Sequence, residues 1–173
     1  MKYPGDCYFW VERAKSYSDI AKLIYSNYSD VEEDVFTEIN IGAFNMAMAM
    51  EAALRYLLAS ADVPIPDTHD HLVLAEECEK NGIPVPGEVS LFFKEAKDYE
   101  SQLRCDVNFV VGTRELGDMC EKVSPWCEKL YKDFIEEIYD SFQTYVLPGM
   151  LKECNGDKEA LVYSNKELLV YSN

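Results

Sequence analysis

Between Phe36 and Ala61 the chain places Phe36, Ile39, Ala43, Met46, Met50, Leu54, Leu57 and Ala61 at spacings of three and four. That rhythm is one stripe of an α-helix. A second apolar row, Phe44, Met48 and Leu58, lies beside it, and no proline interrupts the run. A helix apolar on two sides must have neighbours on both flanks, so it belongs at the centre of a helical bundle. Glu51 and Arg55 sit in the second row, four residues apart with the acid first, the favoured order for a helical ion pair. An unpaired charge there would be costly, so a half-buried pair is expected. The same two charges argue against Ile41 to Ala59 as a membrane span.

The rest of the chain reads as companions to this segment, taken as running from about Val31. A first helix is expected from Asp6 to Tyr28, with Trp10, Ala14, Tyr17, Ala21, Ile24 and Tyr28 on its inner stripe and Ser29-Asp30 as the turn. Pro64 and Pro66 end the central helix, because proline removes a donor and crowds the preceding turn. A short third helix is expected from Asp70 to Lys80, capped by Asp67 or Thr68 and stopped at Asn81-Gly82. Pro84 and Pro86 form a second rigid link. A fourth helix follows from Glu88 to Leu103 with Leu91, Phe92, Ala96 and Tyr99 on its stripe. Residues 104–112 read as an irregular crossing whose Phe109-Val110-Val111 should be covered. A fifth helix starts near Thr113 and continues its stripe to Phe142, with Pro125 either capping a fresh helix or kinking a continuing one. Residues 158–173 repeat one octapeptide with a single difference, too short for a solenoid. It reads as a loosely held tail or as a docking arm.

A chain of 173 residues fits one domain. The fold class expected is all-α: an antiparallel up-and-down bundle of four to five helices over residues 1–156, with 157–173 as a repeated tail. Thirty-two acidic residues against 16 basic give a net charge of −16, which repels phosphate backbones and anionic membranes. The same acidity suits solubility or a basic partner. The six cysteines form no C-x-x-C pair and no cysteine–histidine cluster of zinc spacing, and they read as core thiols. The first residues, Met1 to Asp6, lack the apolar core of a signal peptide, so the cytosol is the expected compartment.

Two blocks carry a resemblance. The first is Gly42-Ala43-Phe44-Asn45-Met46-Ala47-Met48-Ala49-Met50-Glu51-Ala52-Ala53-Leu54-Arg55-Tyr56-Leu57-Leu58; the second is Pro64-Ile65-Pro66-Asp67-Thr68-His69-Asp70. Together, over roughly residues 8–140, they resemble the HEPN family. Its members have an aromatic–polar–small–glutamine–glutamine–Ala–apolar–Glu–Lys–Ala–Leu–Lys helix, a proline-containing link, and Thr-His-Asp leading the next helix. Ala47 and Met48 stand where the family has its glutamines. Arg104 resembles the arginine of the family's Arg-Tyr-Pro segment, with Cys105 and Asp106 replacing Tyr and Pro. The resemblance implies a compact helical bundle, frequent homodimers, frequent pairing with a small nucleotidyltransferase, and binding of nucleotides or RNA. One branch of the family consists of metal-independent ribonucleases, in which an arginine binds phosphate and a histidine five to seven residues beyond it shares in acid–base cleavage.

That chemistry can be tested on the residues. From Arg104 the corresponding positions are Phe109, Val110 and Val111; from Arg114 they are Met119, Cys120 and Glu121. The only two histidines are His69 and His71. A phenyl or aliphatic group cannot replace an imidazole in proton transfer near neutral pH. The expected function is therefore a non-catalytic HEPN-like module engaging a nucleotide, RNA or a nucleotidyltransferase-type partner. The alternative is a HEPN-type ribonuclease with a displaced histidine, and a third reading is an interaction subunit recruiting a partner through acidic faces and the tail. Candidate ligand-binding residues are Arg104, Asp106, Glu51, Arg55, His69 and Asp70. Arg104 suits phosphate by its planar fork, and equally an ion pair with Asp106, Glu100 or a partner subunit. Glu51 and Arg55 form either a structural pair or a carboxylate lining a pocket. Thr68 and Asp70 suit capping of backbone N–H groups, with His69 hydrogen-bonding a neighbouring backbone group. No phosphate loop, dinucleotide fingerprint, hydrolase elbow or H-E-x-x-H occurs, so no cofactor or metal is called for.

Overall fold

The computed structural model of the chain describes residues 5–31, 35–105 and 109–149, the side chains of 5–6 and 103–105 excepted. The described residues form helices α1 (Gly5–Tyr28), α2 (Phe36–Ser60), α3 (His71–Lys80), α4 (Gly87–Ser90), α5 (Phe93–Cys105) and α6 (Thr113–Ser141), then a π-helical turn over Phe142–Val146, with no strand among them. The fold is all-α, as the periodicity required. Residues 2–132 make one compact unit; residues 133–173 belong to a second, of which 133–149 are described. The expected boundary at residue 156 and the octapeptide repeat lie outside the described residues.

The first unit is organised by α2. Fourteen of its residues are buried, from Ile39 through Met46, Met50 and Leu54 to Leu58 and Ala59, and they occupy more than one face. Helix α1 lies along one side of α2, while α3 and α5 pack against it and against each other. The start of α6 closes the core with Leu116, Met119, Val123, Trp126 and Cys127.

Small residues let these helices approach closely. On α1 the fully buried positions are Cys7, Val11, Ala14 and Ala21, joined by Ser18. The expected aromatics Trp10, Tyr17 and Tyr28 flank this line, half-buried against the core. Ala14 and Ala21 thus hold as expected while Val11 and Ser18 take the places of Trp10 and Tyr17, because compact side chains suit the closest approach of two backbones and rings fill its margins. At Gly42 three helices meet: an added Cβ would lie 2.6 Å from Leu116 Cδ2 and 3.2 Å from Ile24 Cγ2. Overpacking of this kind costs about 1–3 kcal/mol, so Gly42→Val should lower stability by that much in urea unfolding. A variant as stable as the parent would show that α6 does not close over α2 at this point.

Two helices end by the same device. Val63 N–H donates to Leu58 O at 3.0 Å and Ile83 N–H to Cys78 O at 2.9 Å, with Asp62 (φ 60°) and Gly82 (φ 70°) in the left-handed region. This is the Schellman closure, in which an apolar residue follows the left-handed one. Proline comes next in both cases, so Val63-Pro64 and Ile83-Pro84 turn the chain sharply and return α3 and α5 to α2.

Several boundaries depart from expectation. Helix α2 is helical only from Phe36, and α3 starts at His71, so its cap is Asp70 rather than Asp67 or Thr68. The expected fourth helix is broken at Leu91–Phe92 into α4 and α5. The break changes which side chains point inward: Leu91 is 73% exposed, and Phe93 is fully buried in its place. Helix α5 also runs on to Cys105, past the expected end at Leu103. Pro125 lies inside a continuous α6, so it starts no new helix. The crossing before α6 is held by Asn40 of α2, whose amide donates to Phe109 O at 2.8 Å and whose oxygen accepts from Val111 N–H at 2.9 Å. Val111 is buried and Phe109 half-buried, but Val110 between them is exposed, as alternation in an extended segment dictates.

Candidate functional site

The central helix contributes two charges that its apolar surroundings cannot leave alone. Glu51 is 3% exposed, and Arg55, one turn on, donates from Nε to Glu51 Oε1 at 2.6 Å. The expected ion pair is present, and it is more deeply buried on the acid side than half-burial implies. The guanidinium does more than neutralise. Its Nη2 donates to the Thr68 carbonyl at 2.7 Å, and its plane lies 5.0 Å from the Trp10 ring centre. Arg55 thereby joins α1, α2 and the segment leading into α3, using the planar fork that lysine lacks.

That segment delivers His69. Its Nδ1 lies 3.2 and 3.1 Å from the two carboxylate oxygens of Glu51, and 3.6 Å from Glu100 Oε1 on α5. A carboxylate only accepts, so Nδ1 carries the proton in this contact. The expected backbone partner for His69 is thus replaced by side chains from two other helices. Glu51 and Glu100 are both buried, whereas the His69 side chain is 65% exposed, so the imidazole stands between the two carboxylates and solvent.

Asp70 behaves as a cap. Its Oδ1 accepts from Leu72 N–H at 3.0 Å, and Thr68 Oγ1 accepts from Asp70 N–H at 3.0 Å. Its other oxygen pairs with Lys97 of α5. The Lys97 ammonium and the Leu72 amide hold the Asp70 carboxyl below its ordinary value. His71, one residue on, is fully buried: Nε2 donates to Ala47 O at 2.9 Å, and the ring stacks on Phe93 at 6.5 Å. Burial pushes its pKa down, so the neutral imidazole is favoured.

Four of the six residues singled out in the sequence, Glu51, Arg55, His69 and Asp70, therefore meet where α2, α3 and α5 converge. The Arg104 side chain and Asp106 lie outside the described residues. Glu100 and Lys97 complete the cluster and are absent from that set. A signal for Glu100 did exist: Phe93, Ala96 and Glu100 fall at helical spacing on one buried stripe, which becomes visible once Phe93 rather than Leu91 is known to face inward. The thiols of Cys78 and Cys120 are pushed up to about 11 and that of Cys127 to about 12 by burial, in keeping with core rather than reactive cysteines. No helix among the described residues is long and apolar enough to cross a membrane.

Comparison with known proteins agrees with this layout. No curated protein and no solved structure matches the chain. The family model of the HEPN domain matches residues 7–139. The matched stretch holds the central helix with Glu51 and Arg55, the proline link, Thr68-His69-Asp70 and α5 with Glu100, and on that match this chain belongs to the HEPN family.

Proposed function

We propose that this protein is a HEPN-type binding module without nuclease chemistry, acting as a homodimer that engages a nucleotide or a nucleotidyltransferase-type partner. The observation that carries this reading is the fate of its two histidines. Neither follows an arginine at the ribonuclease spacing. His69 is engaged by Glu51 and Glu100, and His71 is buried with its Nε2 proton on a backbone carbonyl. An acid–base catalyst must reach the proton it transfers, and a buried imidazole bonded to Ala47 does not. The excess negative charge disfavours a long RNA backbone relative to a small ligand. Buried carboxylates beside a solvent-edge imidazole suit hydrogen bonds from a ribose or a base.

Calorimetry of the purified full chain, with chelator present, against nucleotides and short RNAs tests the binding half. Heat with a nucleotide, weakened by Glu51→Gln, is expected; silence at millimolar ligand overturns it. Incubation with RNA under the same conditions tests the other half. The RNA should stay intact, and cleavage that His69→Ala abolishes would instead establish a ribonuclease with a displaced histidine.

A further inference from the structure

The geometry points to a divalent metal site formed by Glu51, His69 and Glu100, of a kind that takes a first-row transition cation such as zinc. One ligand atom from each of these residues lies within 4.8 Å of the other two. The edges at His69 Nδ1 are 3.1 Å to Glu51 Oε2 and 3.6 Å to Glu100 Oε1. Donors at zinc-bond lengths in a tetrahedral shell stand about 3.3–3.6 Å apart, so the two edges at His69 Nδ1 already lie close to that spacing. The donor set is mixed. An imidazole nitrogen with two carboxylates favours zinc-like ions over magnesium or calcium, which take oxygen almost exclusively.

Three further features separate this cluster from an ordinary acidic patch. Both carboxylates are nearly inaccessible, 3% and 5% exposed, so they are not acids held apart by water on a surface. Two carboxylates buried this close together repel, and a divalent ion touching both would add to the positive charge that Arg55 already gives Glu51. Second, the ligands are oriented by groups behind them. Arg55 Nε holds Glu51 Oε1 and leaves Oε2 turned to His69, while Arg55 Nη2 fixes the carbonyl immediately before His69. Such supporting bonds are what keep metal ligands in place. Third, a polar atom without a partner stands two residues along from His69. His71 is fully buried, and its Nδ1 has no hydrogen-bond partner among the described residues. A buried lone pair without a donor calls for a water, and a hydrated ion at this cluster would carry such waters.

The exposed position of His69 places the remaining coordination site towards solvent, the arrangement of an ion that can take a water or an anionic ligand. Binding replaces the proton on His69 Nδ1 with the ion and releases that proton to water. This inference stands apart from nucleotide binding, and its test uses the metal alone.

Chelator-treated, reduced full-length protein would be titrated with zinc in equilibrium dialysis and with cobalt(II) in visible absorption. One ion per chain is expected, with cobalt d–d bands and no thiolate-to-cobalt charge transfer. His69→Ala and Glu100→Gln should each weaken binding at least about tenfold. Circular dichroism with chelator present confirms that both variants fold. No stoichiometric binding overturns the proposal, as does binding that survives both substitutions. A thiolate charge-transfer band overturns it too, because the ion would then sit on cysteines. The wild-type cobalt spectrum alone decides the donor class if a variant fails to fold.

Discussion

Replacing Arg55 with methionine should lower the unfolding free energy by about 3–5 kcal/mol, the loss typical of removing one partner from a buried ion pair. The effect is large because of what stays behind. Glu51 is 3% exposed, and methionine of similar length preserves the contact with Trp10 while withdrawing the donors to Glu51 Oε1 and to the Thr68 carbonyl. The burial cost of the carboxylate then stands uncompensated on that side. The double variant Glu51→Gln/Arg55→Met should recover most of the loss, since a neutral amide is far less expensive to bury than an ion. Urea denaturation of the two single variants and the double variant yields the coupling directly. A loss below about 1 kcal/mol for Arg55→Met would mean that the pair behaves like a surface salt bridge and does not tie α2 to the α3 segment.

Phe93→Ala should cost about 3–5 kcal/mol, the range for truncating a buried aromatic ring. Phe93 heads the fully buried side chains by volume, stacks on His71, and begins α5 just after the break from α4. It also forms the floor of a groove lined by Leu72, Ala75, Ile83 and Val85, into which neighbours can partly relax. That relaxation favours the lower end of the range. Leu91→Ala is the matched control: at 73% exposure it should change stability by no more than about 0.5 kcal/mol. Equal losses at the two positions would show that Leu91, not Phe93, faces the core, and the register of α5 assigned here would be wrong.

That pair of residues shows where reading the sequence stops. The spacing of apolar residues around 88–103 announces a helix, but Leu91, Phe92 and Phe93 are three adjacent apolar side chains. Periodicity cannot choose among them when the helix is broken between them. The same limit put Val11 and Ser18 on the α1 seam in place of Trp10 and Tyr17, while Ala14 and Ala21 kept the places expected of them. Glu51 and Arg55 were legible as a pair because four residues on one helix is a local distance. Glu100 was not, because its closeness to His69 depends on how α5 is turned against α2 and α3.

By itself, then, the order of residues determined the helical class, the central place of α2, the proline-directed turns at 63–66 and 83–86, and the loss of an arginine–histidine ribonuclease spacing. Each of these rests on interactions within a few residues, or on the presence or absence of a side chain. Only the tertiary structure decided that His69 meets two carboxylates, that His71 is buried with one nitrogen unpartnered among the described residues, and that Gly42 is the meeting point of three helices. Those outcomes depend on contacts between segments far apart in the chain. Rotating a helix by one residue, about 100°, exchanges its inner and outer faces while leaving the local pattern nearly unchanged.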